Sequence, residues 1–255
     1  MMPDTYSLTA EEVESIDFFH DFMAFLHRLY EQPIRRTSTG NISLKDIQPL
    51  LEKLKTTKEH IDDYKKHGWR LHTEDELKTL QQIKILSEMM HLTYKRKGKL
   101  FLSKNGQGFL KNLTPIEQYK QMILYYWYRV NWDYFSGMRR VDSVSLINVL
   151  QENQNKIWHS LLNKDTQWID YKKFCFSLRD YFHLQPFLEH PTFEPDDELF
   201  SDIEYALFGK NLLLFNCVEV EEAPGKYDWQ TEIVRFRSTR IGLYLYQKAL
   251  YENYL

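Results

Sequence analysis

The run Lys95-Arg96-Lys97-Gly98-Lys99, with Lys104 five residues further on, is the chain's strongest offer of chemistry. A second basic set, Arg235, Arg237 and Arg240, lies near the C-terminus. Ammonium and guanidinium groups in this density suit phosphate oxygens, which hold a polymer in place without reading its sequence. The competing account is that charges at the end of a β-hairpin keep an exposed edge soluble. Both accounts require these residues to stand on a hairpin rather than a helix. The flanks agree, since Tyr94 and Leu100-Phe101-Leu102 are β-prone and Gly98 supplies a turn that needs positive φ.

Other candidates carry less. His60, Asp63 and His67 share one helical face, the geometry of a metal site, but no further ligand accompanies them and a solvated helix surface is expected. Cys175 sits in the apolar run Phe174-Cys175-Phe176, whereas a nucleophilic thiol needs a base and a depressed pKa. No G-x-x-x-x-G-K-[ST] loop occurs, and Gly106-Gln107-Gly108 lacks the third glycine of a dinucleotide site. H-E-x-x-H, C-x-x-C and G-x-S-x-G are absent as well. The pairs Asp62-Asp63 and Asp196-Asp197 read as solvated carboxylates. No catalytic residue, metal or cofactor is therefore assigned, and binding is expected rather than catalysis.

The totals narrow the partners. A net charge of -3 argues against a protein that coats nucleic acid through bulk charge and leaves only a local basic patch. Aromatic residues make up 15%, enough for bulky helix packing or large contact surfaces. Two cysteines, each in an apolar run, argue against a disulfide framework and for a cytoplasmic setting. The opening MMPDTYSLTAEEVES has no basic flank or apolar core, and no run of about 18 apolar residues exists, so neither secretion nor a membrane is expected. Double-stranded DNA, a protein partner and a second copy of the chain are the partners left open.

The elements that must position the basic runs are mostly helices. Thr9 and Glu12 form a capping box, and Val13, Ile16, Phe19, Met23, Leu26 and Tyr30 predict one helix over 10–30. Phe18, Phe22, Phe25 and Leu29 widen its apolar face, which suits a core helix or a dimerisation helix. Ile34 to Thr37 reads as a first strand, Gly40-Asn41 as a turn, and Ser43 as an N-cap with Asp46 at its third position. Pro49 then disagrees with one uninterrupted helix. A charged helix over 56–67 closes at Gly68, and Thr73 with Glu76 starts the helix that leads into the hairpin. Thr114-Pro115-Ile116-Glu117 is the clearest helix start. The stripe Tyr119, Met122, Ile123, Tyr126, Trp127, Val130 that follows reads as core rather than as a platform for stacking bases. Helical hairpins are expected from Ser143 to Phe182, and the Pro-rich stretch His183 to Asp197 is the best boundary.

Two regions share an order: apolar helix, alternating strand, polar turn, alternating strand, hydroxyl residue, two residues, Gly, helix. One ends on Ser103-Lys104-Asn105-Gly106 and the other on Thr239-Arg240-Ile241-Gly242; Thr37 to Gly40 repeats only the spacing. In the segments Thr37 to Asp46, Leu100 to Leu110 and Thr239 to Leu243 the chain resembles a loose group of bacterial winged-helix proteins of unassigned role. These are similar to the helical and winged-helix part beside the motor of XPB-like helicases. The resemblance implies a mainly α fold with small β-hairpins, in tandem winged-helix units joined by a helical connector. The expected division is a packing helix over 1–33, a winged-helix-like region over 34–113, a connector over 114–185 and a second unit over 186–255. It implies binding of double-stranded nucleic acid through Lys95, Arg96, Lys97, Lys99, Lys104, Arg235, Arg237 and Arg240, or a role as an adaptor in a larger complex.

Overall fold

Thr9 opens the first helix with the expected reciprocal cap: its Oγ1 accepts from the Glu12 amide (3.2 Å) and the Glu12 carboxylate accepts from the Thr9 amide (2.8 Å). The predicted single helix is nevertheless two, α1 (Ala10–Glu14) and α2 (Asp17–Glu31). The Ser15 hydroxyl donates to the Glu12 carbonyl at 2.7 Å and Ile16 turns extended, so a local side-chain bond competes with the next helical turn. This computed structural model describes residues 6–135, 140–141, 143–188, 194–225 and 231–252. Lys226, in the turn expected for the second hairpin, lies outside the described residues, as do residues 189–193 of the Pro-rich stretch.

The chain is mainly helical with small antiparallel sheets and falls into two units, Thr9–Val130 and Asn131–Leu255, the latter taking in the leading residues up to Leu8. The N-terminal unit continues through β1 (Ile34–Arg35), α3 (Leu44–Leu51), α4 (Lys58–Lys66), a 3-10 turn at Glu74–Glu76, α5 (Lys78–Met89), β2 (Thr93–Arg96), β3 (Lys99–Leu102), α6 (Lys104–Asn112) and α7 (Pro115–Arg129). Pro49 sits inside α3 without breaking it. It is exposed and the helix ends two residues later; the bond it forgoes would go to the carbonyl of exposed Lys45, which water can serve. Thr73 and Glu76 do form a capping box, but it closes the 3-10 turn, and α5 starts only at Lys78.

Burial explains why α2 is so aromatic. Phe18, Phe22, Phe25 and Leu29 are all buried, with Phe19 edge-on to Tyr119 (5.6 Å) and Phe22 edge-on to Phe109 (6.1 Å). The faces that would have asked for a second copy are thus covered. Asp21, fully buried on the same helix, accepts from the Lys55 amide (2.7 Å), the Thr56 amide (2.9 Å) and the Thr56 hydroxyl (2.6 Å), fastening the α3–α4 connection.

The C-terminal unit runs through a short ribbon, β4 (Arg140–Val141) and β5 (Val144–Ser145), then α8 (Leu146–Glu152), α9 (Gln154–Lys164), β6 (Ile169–Asp170), α10 (Tyr171–Phe182), α11 (Pro195–Ile203) with a π-helical continuation over Glu204–Leu212, β7 (Val218–Pro224), β8 (Thr231–Ser238) and α12 (Arg240–Tyr251). Where helical hairpins were expected, β6 stands between α9 and α10, inside the range read as connector. Its core stacks Trp158 on Tyr246 (5.2 Å) and sets Phe236 edge-on to both Phe208 (4.8 Å) and Phe174 (5.0 Å).

Both units use one plan. A helix leads to a two-residue strand, further helices and a hairpin, and the sheets are ordered β1-β3-β2 and β6-β8-β7. The registers coincide. Ile34 pairs with Leu100 and Ile169 with Phe236; Thr93 pairs with Leu102 and Val218 with Ser238. At the next residue, Ser103 Oγ accepts from the Gly106 amide (2.9 Å) and donates to the His91 carbonyl (2.8 Å). Thr239 Oγ1 accepts from the Gly242 amide (3.0 Å) and donates to the Asn216 carbonyl (2.6 Å). His91 and Asn216 both take left-handed φ, 56° and 52°. A Cβ on Gly106 would fall inside the van der Waals shell of the Leu92 carbonyl, and one on Gly242 inside that of the Cys217 carbonyl. One hydroxyl therefore closes a helix, a strand and the next helix together, and glycine is needed where the two backbones touch. Thr37–Gly40 is different, a tight turn with Gly40 at φ 93° rather than a helix cap.

Candidate nucleic-acid interface

The first basic run stands where its flanks place it. Arg96 pairs with Lys99 around the two-residue turn Lys97-Gly98, whose φ values of 47° and 69° are both positive, as a type I′ hairpin demands. Alternation then sorts the side chains. Thr93, Lys95, Leu100 and Leu102 point toward the helices, and Tyr94, Arg96, Lys99 and Phe101 point outward. Lys95 consequently reaches back to Glu88 at the end of α5 (2.7 Å) and is spent on that pair. Arg96, Lys97 and Lys99 are exposed and make no ion pair among the described residues; Lys104, also exposed and unpaired, opens α6.

A further cation joins them. β1 pairs Arg35 with Lys99, so Arg35, Lys99 and Arg96 form one row across three strands. Neighbouring strands lie about 4.8 Å apart, so the row spans about 10 Å. Like charges directly opposite one another oppose strand pairing, by up to about 1 kcal/mol per pair. Among the described residues no carboxylate within ion-pair distance relieves this row, and a bound anion would. Spacing alone does not single out Arg35, because a two-residue strand has too few positions for alternation to show.

The C-terminal unit holds its arginines differently. Arg237 bonds to Glu219 (2.5 Å) and Arg235 to Glu221 (2.6 Å) across the hairpin, and both guanidinium groups lie over the Trp168 ring (4.7 and 4.8 Å). The row that matches Arg35–Lys99–Arg96 in register is Asp170–Arg235–Glu221, in which the signs alternate and the carboxylates outnumber the cation. Arg240 opens α12, the position Lys104 holds in α6. The eight residues picked out by spacing thus separate into Arg96, Lys97, Lys99 and Lys104 with the Glu88-bound Lys95 on one unit and, on the other, Arg240 with two arginines already engaged by carboxylates.

The helices that precede the hairpins offer little to a polyanion. On α5, Leu80, Gln82, Ile83, Lys84, Leu86 and Ser87 are buried, and Lys84 is paired with buried Glu74 (2.5 Å). The first turn of α11 is acidic, with Asp196, Asp197 and Glu198, and burial together with Glu198 pushes Asp202 up to about 6. The α7 stripe is core: Tyr119, Met122, Ile123, Tyr126, Trp127 and Val130 are all buried.

The remaining candidates resolve simply. His67 bonds Asp63 (3.2 Å) on the surface of α4, and among the described residues no group of His, Cys, Asp and Glu is placed to hold a metal ion. Cys175 is buried and burial pushes its thiol up to about 12, the opposite of an activated thiolate. No described helix is long and apolar enough to cross a membrane. Comparison with family models, with curated proteins and with solved structures finds no match for this chain.

Proposed function

We propose that both units are winged helices and that the chain is a nucleic-acid-associated binding protein whose phosphate contact is made by the N-terminal wing. The order helix, strand, helices, hairpin, with the first short strand paired to the last, supports the winged-helix reading of each unit. The likeness of segments 37–46, 100–110 and 239–243 to the winged-helix part beside XPB-like helicase motors belongs to the same proposal. The observation that carries the function is the row Arg35–Lys99–Arg96, three aligned cations with no ion-pair partner among the described residues. Because Gln82 and Lys84, polar residues at the middle of α5, are buried, the contact is sequence-independent and is made by the sheet and its turn rather than by a helix in the major groove.

The test is a titration of labelled duplex at 50 and 200 mM salt. Three phosphate contacts predict a log–log slope of about -2.7 and hence about 40-fold weaker binding at the higher salt. Replacing Arg35, Lys99 and Arg96 together by Ala should flatten the slope. Nucleic-acid binding with no salt dependence, or no binding of either duplex or single strand at 50 mM, would sink the proposal.

A second reading, an adaptor in a larger complex, is favoured by the C-terminal unit. Its hairpin, where Glu219, Glu221, Glu222 and Glu232 outnumber Arg235 and Arg237, and the acidic start of α11 repel phosphate and suit a protein surface. A stoichiometric partner retained by a chain that fails to bind heparin would select it over the first.

A further inference from the structure

On the outer face of the N-terminal hairpin, Tyr94 and Phe101 are direct cross-strand partners, stacked at 5.3 Å with ring planes 17° apart. Tyr94 is 44% exposed. Each ring stands two residues along its strand from a member of the cation row, Tyr94 from Arg96 and Phe101 from Lys99. That is one step of about 7 Å on the same face. The C-terminal unit shows that the fold does not require aromatics here, since the positions equivalent in register are Glu219 and Arg237, an ion pair.

From this placement we infer that Tyr94, backed by Phe101, stacks an unpaired base while Arg35, Lys99 and Arg96 hold the adjoining phosphates. The ligand of this face is then single-stranded nucleic acid, or the unpaired segment beside a duplex. The inference rests on the phosphate reading proposed above and adds the strandedness of the polymer. A duplex hides its base faces in its own stack and offers an aromatic ring nothing but edges. A single strand exposes them, and cations next to an exposed ring are the combination that single-strand sites use. The aromatic pair also stabilises the hairpin, so its test must separate stacking on a ligand from stacking within the protein.

Tyr94→Ile keeps a β-prone, apolar cross-strand partner for Phe101 and removes the ring. Tyr94→Trp keeps the ring. Three probes are titrated against the full chain at one salt concentration: a dT 12-mer, an rU 12-mer and a blunt 12-bp duplex. Tyr94→Ile should weaken binding of the better single strand about 5- to 100-fold and leave the duplex within about twofold, and Tyr94→Trp should restore it. A 2-aminopurine placed in that strand should be quenched by wild type and by Tyr94→Trp, not by Tyr94→Ile.

An unchanged ratio of single-strand to duplex affinity in Tyr94→Ile, or an unquenched 2-aminopurine on bound wild type, overturns the inference. If replacing Arg35, Lys99 and Arg96 still abolishes duplex binding in that case, the phosphate reading stands alone. If wild type binds no probe at low salt, both fall together.

Discussion

Gly106 and Gly108 stand two residues apart on α6, and the structure demands opposite outcomes from the same substitution. A Cβ at Gly106 would meet the Leu92 carbonyl and come within 2.6 Å of Leu102 Cδ1, with Leu102 Cγ at 3.0 Å. The Leu92 carbonyl cannot move freely, since it accepts the Ser103 amide at 2.8 Å where the strand turns into the helix. Gly106→Ala gains roughly 1 kcal/mol of helix propensity. Against this it forces overpacking that costs about 1–3 kcal/mol and strains a hydrogen bond worth about 1 kcal/mol. The net expectation is a loss of about 2 kcal/mol. At Gly108 the nearest atom to a new Cβ is Asn112 Nδ2 at 3.6 Å, ordinary contact. Gly108→Ala should therefore stabilise by about 0.5–1 kcal/mol. For a unit of roughly 120 residues, about 4 °C accompanies each kcal/mol. Thermal unfolding followed by circular dichroism should lower Tm by about 8 °C in Gly106→Ala and raise it by about 3 °C in Gly108→Ala. If both variants are stabilised, helix and strand do not touch at Gly106, and the proposed reason for glycine in both units is wrong.

The cap that accompanies this contact is tested by Ser103→Ala and Thr239→Ala, each expected to destabilise its unit by about 1 kcal/mol in urea unfolding, with Ser103→Thr and Thr239→Ser close to wild type. Glu219→Gln with Glu221→Gln should release Arg237 and Arg235, strengthen polyanion binding and steepen its salt slope by about 2; unchanged binding would mean that the ion pairs are not what withholds these arginines. Asp202 holds its proton up to about pH 6 when folded, above the 3.8 of a free carboxyl, so between these values the unfolded chain binds fewer protons and stability falls as pH rises. Asp202→Asn should thus stabilise at pH 7 by on the order of 1 kcal/mol, after discounting the part of the side chain that faces water, and the difference should close near pH 4. A difference that persists at pH 4 would assign the effect to packing instead of charge.

The helix starts were legible because a cap is local: Thr9 with Glu12 and Thr114 with Glu117 form the bonds that their spacing predicts. The hairpin turn at Lys97-Gly98 was legible for the same reason. Features fixed by distant residues were not. The two-residue strands Ile34–Arg35 and Ile169–Asp170 exist only because Leu100 and Phe236 pair with them. Neither has length enough to show a period. Arg235 and Arg237 read as available cations, yet the alternation Glu219-Val220-Glu221 opposite Arg235-Phe236-Arg237 already held the signal that both would be paired once the hairpin closed.

Comparing the two units separates what the architecture needs from what it leaves free. On the inner face the equivalent pairs are Ile34 with Leu100 and Ile169 with Phe236, three of them fully buried and Ile169 half-buried, and the hydroxyl and glycine that end each hairpin make the same bonds. A buried face constrains volume and polarity, so these positions keep their character. The outer face is under no such constraint, and there only the central cation, Lys99 or Arg235, is shared: the rest is aromatic pair against ion pair, and flanking cations against flanking carboxylates. A hairpin needing only a soluble outer face is served by the C-terminal solution, in which each charge is answered by its neighbour. The N-terminal hairpin instead sets like charges opposite one another beside an exposed ring, an arrangement that costs stability in the free protein. An anion bound across the row would relieve that cost, which is why the proposed contact is sought on this face and not on its counterpart.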